Sequence, residues 1–263
     1  MTDFLKNILL ISLMIVCSSC SLIANLIQNR IDPVVYPTEG RSQSVRISGG
    51  FPAELGLSYH PTRNTLLHSY MHTTSLKPDI GELPAPNDYK ISAGLSAHLV
   101  RKLSVLNMSA GLGLDLGSSR GEDLVNTTQG KLKTQSDYLE KHDLYFWQPY
   151  IQVASGLEFQ SGFGLGIVLK SGNSFISYNS GVLRDPEGAA YDISGIRKTS
   201  SFFHAAFVIK KNIGPLEYQI QLKTGGSDDN TFFYTAGGVS LLVSYTFPEK
   251  KHTRSSSSGK KRK

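Results

Sequence analysis

The chain has 263 residues, only 18% of them charged, 25 glycines and a formal net charge of +6. The tail after Phe247, "PEKKHTRSSSSGKKRK", carries all of that net charge. Residues 1–247 are therefore neutral overall and offer no basic face to track a nucleic-acid backbone.

The opening segment, "MTDFLKNILLISLMIVCSSC", has Lys6, an apolar run from Ile8 to Val16, then small residues. That run is far shorter than the roughly 20 residues a membrane-crossing helix needs. Charge, short apolar run and small residues predict a secretory signal peptide over 1–19. Its end, Ser18-Ser19-Cys20, resembles the bacterial lipoprotein signal, which implies acylation of Cys20. Cys17 stands where that signal carries an aliphatic residue, so cleavage by an ordinary signal peptidase is the alternative. Both cysteines of the chain lie in this segment, and the exported part has none left for a disulfide.

Residues 20–32 read as a linker, and Val34–Tyr36, between Pro33 and Pro37, as a first short strand. Alternating runs follow. Val45 and Ile47 oppose Ser44, Arg46 and Ser48; Leu55, Leu57 and Tyr59 oppose Glu54, Gly56, Ser58 and His60. Ile91, Ala93, Leu95, Ala97 and Leu99 oppose Lys90, Ser92, Gly94, Ser96 and His98. The same pattern runs through "LNMSAGLGLDL", "PYIQVASGLEFQ", "FGLGIVLK", "FFHAAFVIKK", "LEYQIQLK" and "TAGGVSLLVSYTF". A two-residue period with one apolar face is the mark of a strand, and no long stretch has helical periodicity. Tight turns are predicted at 51–53, 101–102, 160–162 and 212–215, and long polar connections at 62–88, 116–145 and 172–200, with a shorter one at 224–230. Short turns on one rim and long loops on the other are the habit of outer-membrane barrels. The fold expected is all-β: a closed antiparallel up-and-down transmembrane β-barrel over 33–247, followed by a disordered basic tail at 248–263. Nine strands are counted from Ser44 to Phe247, and residues 33–40 are expected to supply a tenth; eight strands is the alternative.

The polar faces hold mostly Gly, Ser, Ala, Gln and Asn. A water-facing surface is richer in charge, whereas small side chains suit a narrow lumen. Aromatics near strand ends, among them Tyr59, Phe146, Trp147, Phe159, Phe163, Phe202, Tyr245 and Phe247, fit interfacial girdles. The apolar faces are therefore expected to meet lipid. On the signal peptide, the turn–loop asymmetry and the last strand, "GVSLLVSYTF", the sequence resembles the small bacterial outer-membrane β-barrel proteins. Tyr245 and Phe247 resemble that family's assembly signal, although here a basic tail follows. The resemblance implies the bacterial outer membrane as location, with its lipid and the barrel-assembly machinery as partners.

Arg46, Glu54, Lys90, Glu158, Lys170, Glu217 and Lys223 are expected to point inward and to pair across the lumen, because unpaired charge there is expensive; Asp115, Lys210, His60, His98 and His204 share that face. Ser96 and His98 are weak catalytic candidates two apart on one strand, and "LLHSYMH" places His68, Ser69 and His72 in a long loop. No metal or cofactor motif occurs. The function expected is a structural or surface-interaction role through the outer loops, with an extracellular ligand or host-surface partner. A narrow channel and a lipid-modifying enzyme are the alternatives.

Overall fold

The computed structural model describes residues 34–38, 43–51, 53–75, 89–122, 138–184, 189–227 and 236–247, and all their regular structure is strand. In chain order these are β1 (Ser44–Phe51), β2 (Glu54–Thr62), β3 (Thr65–Ser75), β4 (Tyr89–Leu103), β5 (Leu106–Glu122), β6 (Tyr138–Glu158), β7 (Phe163–Arg184), β8 (Ala190–Asp192), β9 (Arg197–Ile213), β10 (Leu216–Ser227) and β11 (Ala236–Thr246). Ten of them form a closed antiparallel barrel in which β7 pairs β9 and β1 closes on β11, while β8 only extends the end of β7. The closing seam runs from Arg46 opposite Thr246 to Phe51 opposite Leu241. Followed partner to partner, Arg46 leads through Ser58, His68, Ser96, Gly113, Tyr150, Gly172 and Phe202 to Ser227 at the far end of β10. That climb from one rim to the other is the strand tilt that lets a sheet close.

The expected strand number holds, but one strand was misplaced. The tenth strand is β3, within the segment read as a long loop, and not residues 33–40. Val34–Thr38 form no strand; they lie inside the barrel. The misreading has a local cause: "LLHSYMHTT" alternates, but His68, Tyr70 and His72 on its inner face look like loop polarity. A second correction follows. Because β1 is antiparallel to β11, it starts on the short-turn rim and runs away from it, so the connection from β1 to β2 belongs to the long-loop rim. The short-turn rim holds 63–64, 104–105, 159–162 and 214–215, with Gly162 (φ 76°) and Gly214 (φ 61°) in the left-handed region two of these turns require. The expected loops 116–145 and 172–200 are also shorter than read, because β5, β6, β7 and β9 extend far into them. The segments expected to be a signal peptide, with Cys20, and a linker to residue 32, and the tail 248–263, lie outside the described residues.

The two faces of the wall are inverted relative to a water-soluble protein. Outward Leu95 and Leu112 are 67% and 66% exposed, while inward Lys90, Gln152 and Lys170 are 3%, 1% and 0% exposed. Exposed aromatics gather near the short-turn rim (Tyr59, Phe159, Phe163, Tyr218, Tyr245, Phe247), and Trp147 stacks on Phe175 at 4.0 Å towards the other end. From Leu157 up to Trp147 the outward face is a strand length of the kind a bilayer needs, about 9–11 residues when tilted. Phe146 and Phe202 do not belong to the girdles; each shares the luminal face of its strand and is buried. The wall is uneven in height. β1 and β2 have 8 and 9 residues, β6 and β7 have 21 and 22. The taller strands rise past the apolar band, and their inner face packs its own cluster of Leu144, Phe146, Ile176 and Tyr178 with Ile193.

Leu112 tests the assignment of the outer face. Leu112→Arg is expected to lower refolding stability in lipid by about 2–4 kcal/mol, the penalty of a cation at mid-membrane depth. On a water-facing surface the same change stays within about 0.5 kcal/mol. Urea titration of refolded protein in vesicles measures it.

Candidate functional site

The lumen concentrates the polar chemistry of the chain, and it is filled at two levels. Near the short-turn rim, five charges of alternating sign run across the barrel. Lys102 donates to Glu158 Oε2 at 2.8 Å, and Lys210 donates to Glu158 Oε1 at 2.7 Å. Lys210 also lies 3.6 Å from Glu217 Oε2, and Arg46 Nη1 donates to Glu217 Oε1 at 2.8 Å. The belt thus joins β4, β6, β9, β10 and β1, of which only β9 and β10 are paired directly. Gln219 donates to Glu217 at 2.7 Å, and Gln221 donates to Gln219 at 3.1 Å, carrying the network up β10.

Above the belt lies Val34–Thr38. Its backbone is held as a neighbouring strand would hold it, but by side-chain amides. Gln152 Nε2 donates to the Val35 carbonyl at 2.7 Å, and its Oε1 accepts from the Val35 N–H at 3.3 Å. Asn107 donates to the Pro37 carbonyl at 2.7 Å and Gln221 to that of Val34 at 3.3 Å. Val34 and Tyr36 pack on Ala154, Val168, Ala206 and Val208. The Tyr36 ring lies against Gly156 and Gly166, which face each other across β6 and β7, and a side-chain carbon on either would collide with it. Beside this strap a cavity of about 40 Å³ remains, lined among others by Ser58, His68 and Gln219. That volume holds on the order of two or three waters.

At the second level Lys170 forms an ion pair with Asp115; both side chains are fully buried, and the ammonium sits 4.0 Å from the centre of the Tyr150 ring. Tyr150 and Tyr70 lie over Gly113 and Gly94 of the adjacent strands, where any side chain would be displaced by the ring. Aromatic cover over glycine in this way stiffens a wall that small residues would leave thin.

Of the inward charges read from the sequence, Arg46, Glu158 and Glu217 meet in the belt, and Lys170 meets Asp115. Glu54 lies opposite His72 in register, Lys90 sits 5.1 Å from the Phe146 ring centre, and Lys223 is buried on β10. Sequence reasoning missed Lys102, which it put in a turn, and the clamp made by Gln152, Gln221 and Asn107. The glycine pair receiving Tyr36 left no signal beyond its composition. Ser96 and His98 do touch, at 2.9 Å, and Ser58 bonds His68 at 2.8 Å. Among the described residues the other ring nitrogen of His98 has no hydrogen-bond partner, so none of them supplies the orienting acid of a catalytic triad. His68 and His72 lie on β3 facing inward, and not in a loop. Among the described residues no three His, Cys, Asp or Glu side chains are grouped to hold a metal ion.

No family model matches the chain, and no curated protein matches it. Among solved structures it is similar to LpxR from Salmonella typhimurium, with 13% identity and a TM-score of 0.33 over 78% of this chain and 99% of that one. It is also similar to the Pseudomonas putida toluene transporter TodX, with 8% identity and a TM-score of 0.29 over 79% of this chain and 66% of that one. Both likenesses are too distant to carry over a residue, a substrate or an activity.

The belt makes a graded prediction. Glu217→Gln leaves Arg46 and Lys210 facing a neutral group in a buried position, and a loss of about 3–5 kcal/mol is expected. Glu158→Gln is expected to cost less, because the Lys102 side chain is 33% exposed and can turn to water. Denaturant unfolding of the two variants in the same micelle gives the order.

Proposed function

We propose that this protein is a bacterial outer-membrane barrel with a sealed lumen, whose role is structural or one of surface interaction exerted from its long-loop rim. One observation carries the reading: two layers of buried groups occupy the lumen, the strap at Val34–Thr38 with its charge belt and the Lys170–Asp115 pair above. A ten-stranded barrel has little more internal room than an eight-stranded one, whose interior side chains fill. The tall sector of β6, β7 and β9 supports the second half of the reading. Its inner face carries a packed apolar cluster above the apolar band. The apolar outer face and its aromatic rows support lipid as the surrounding medium.

A conducting channel and a lipid-modifying enzyme are the competing roles. Refolded protein in planar bilayers is expected to give no stable conductance steps, and porin-sized steps overturn the sealed-lumen reading. Comparing phospholipid and lipid A composition in cells with and without the gene separates the enzyme: a missing acyl chain or a new lysolipid contradicts a non-catalytic role.

A further inference from the structure

Two successive outward rows of side chains cross β4, β5, β6, β7 and β9 at the upper edge of the apolar band. The lower row, read through cross-strand partners, is Ala93, Leu116, Trp147, Phe175 and Thr199. The row above it is Ile91, Ser118, Tyr145, Ser177 and Arg197. The lower row is dominated by apolar and aromatic groups; the upper one ends in hydroxyls and a guanidinium. This is the change of chemistry that a lipid itself undergoes from acyl chain to headgroup. Residues of both rows line a groove of about 900 Å³, bordered by the stacked Trp147 and Phe175 together with Ile91 and Leu116. Its described lining contains two cations, Arg197 and Lys198, and no acid.

We propose that this groove binds an outer-leaflet lipid whose headgroup is an anionic phosphomonoester, in preference to a zwitterionic phosphodiester. One acyl chain lies over Ala93 and Leu116 beside the Trp147–Phe175 stack, and the phosphate meets Arg197. Arg197 is placed to do this because it sits one row above the apolar groups, and its planar guanidinium can bond two phosphate oxygens at once. The hydroxyls of Tyr145, Ser118 and Ser177 lie on the same row, at the depth of the ester and phosphate oxygens. Charge complementarity selects this occupant: a second copy of the barrel would set Arg197 against an apolar band. In the next row Arg120 faces Asp143, so that acid has a basic neighbour of its own. The inference rests on the membrane reading above.

Trp147 is the chain's single tryptophan, so its fluorescence reports this groove alone. The full chain is reconstituted in phosphatidylcholine vesicles carrying increasing fractions of brominated phosphatidic acid or, separately, brominated phosphatidylcholine. Brominated phosphatidic acid is expected to quench Trp147 at a severalfold lower mole fraction than brominated phosphatidylcholine. Arg197→Gln is expected to merge the two curves without moving the phosphatidylcholine one. Superposed curves in the wild type, or a preference that survives Arg197→Gln, overturn the lipid site while leaving the membrane reading intact. No quenching by either lipid overturns both.

Discussion

The structure depends on closure of one hydrogen-bonded wall. Once β1 pairs with β11, the backbone of the wall finds its partners within the barrel, which is what permits a sheet to sit in a medium without water. From closure the rest follows by alternation. Every second side chain must suit lipid, and every other one must be satisfied within a space too narrow for bulk water. An unsatisfied group there costs far more than on a surface.

The inner face answers that demand by two different means. At the short-turn rim the solution is ionic, with signs alternating from Lys102 to Arg46 so that each carboxylate lies between two cations. In the middle the solution is a piece of the chain itself. Gln152 supplies the donor and acceptor that a missing strand would have supplied, and Gly156 with Gly166 leaves the depth in which Tyr36 lies. Buried ion pairs are weak sources of net stability, yet removing one partner is costly. The belt is therefore better understood as a constraint on which strands may approach one another at that rim than as the source of the barrel's stability.

The faces of the strands could be read from the sequence because a period of two survives in any alternating segment; Lys90 to Leu99 is an example, and its burial follows the pattern without a break. The strand β3 is hidden in the sequence because two histidines and a tyrosine on a luminal face have the composition of a polar loop. The direction of β1 was lost for a related reason: it depends on the seam with β11, a contact between the two ends of the barrel that no local pattern carries. Val34, Val35 and Tyr36 have strand propensity, but the side-chain amides that bind the strap come from β5, β6 and β10. Distant partners of this kind leave no trace in a single sequence.

Site-directed spin labelling along β4 tests both faces of the account together. Single cysteines at positions 91 to 99, one per variant in a background without Cys17 and Cys20, would carry a nitroxide in reconstituted protein. Collision with oxygen and with a water-soluble nickel chelate would then be measured at each site. Labels at 91, 93, 95, 97 and 99 are expected to be open to oxygen and closed to the chelate, as lipid-facing groups are. Labels at 92, 96 and 98 are expected to be closed to both, because the lumen is filled; position 94 is left out, since a side chain there meets the Tyr70 ring. Chelate access on the even positions would mean an open aqueous lumen, and chelate access on the odd ones would mean a barrel standing in water.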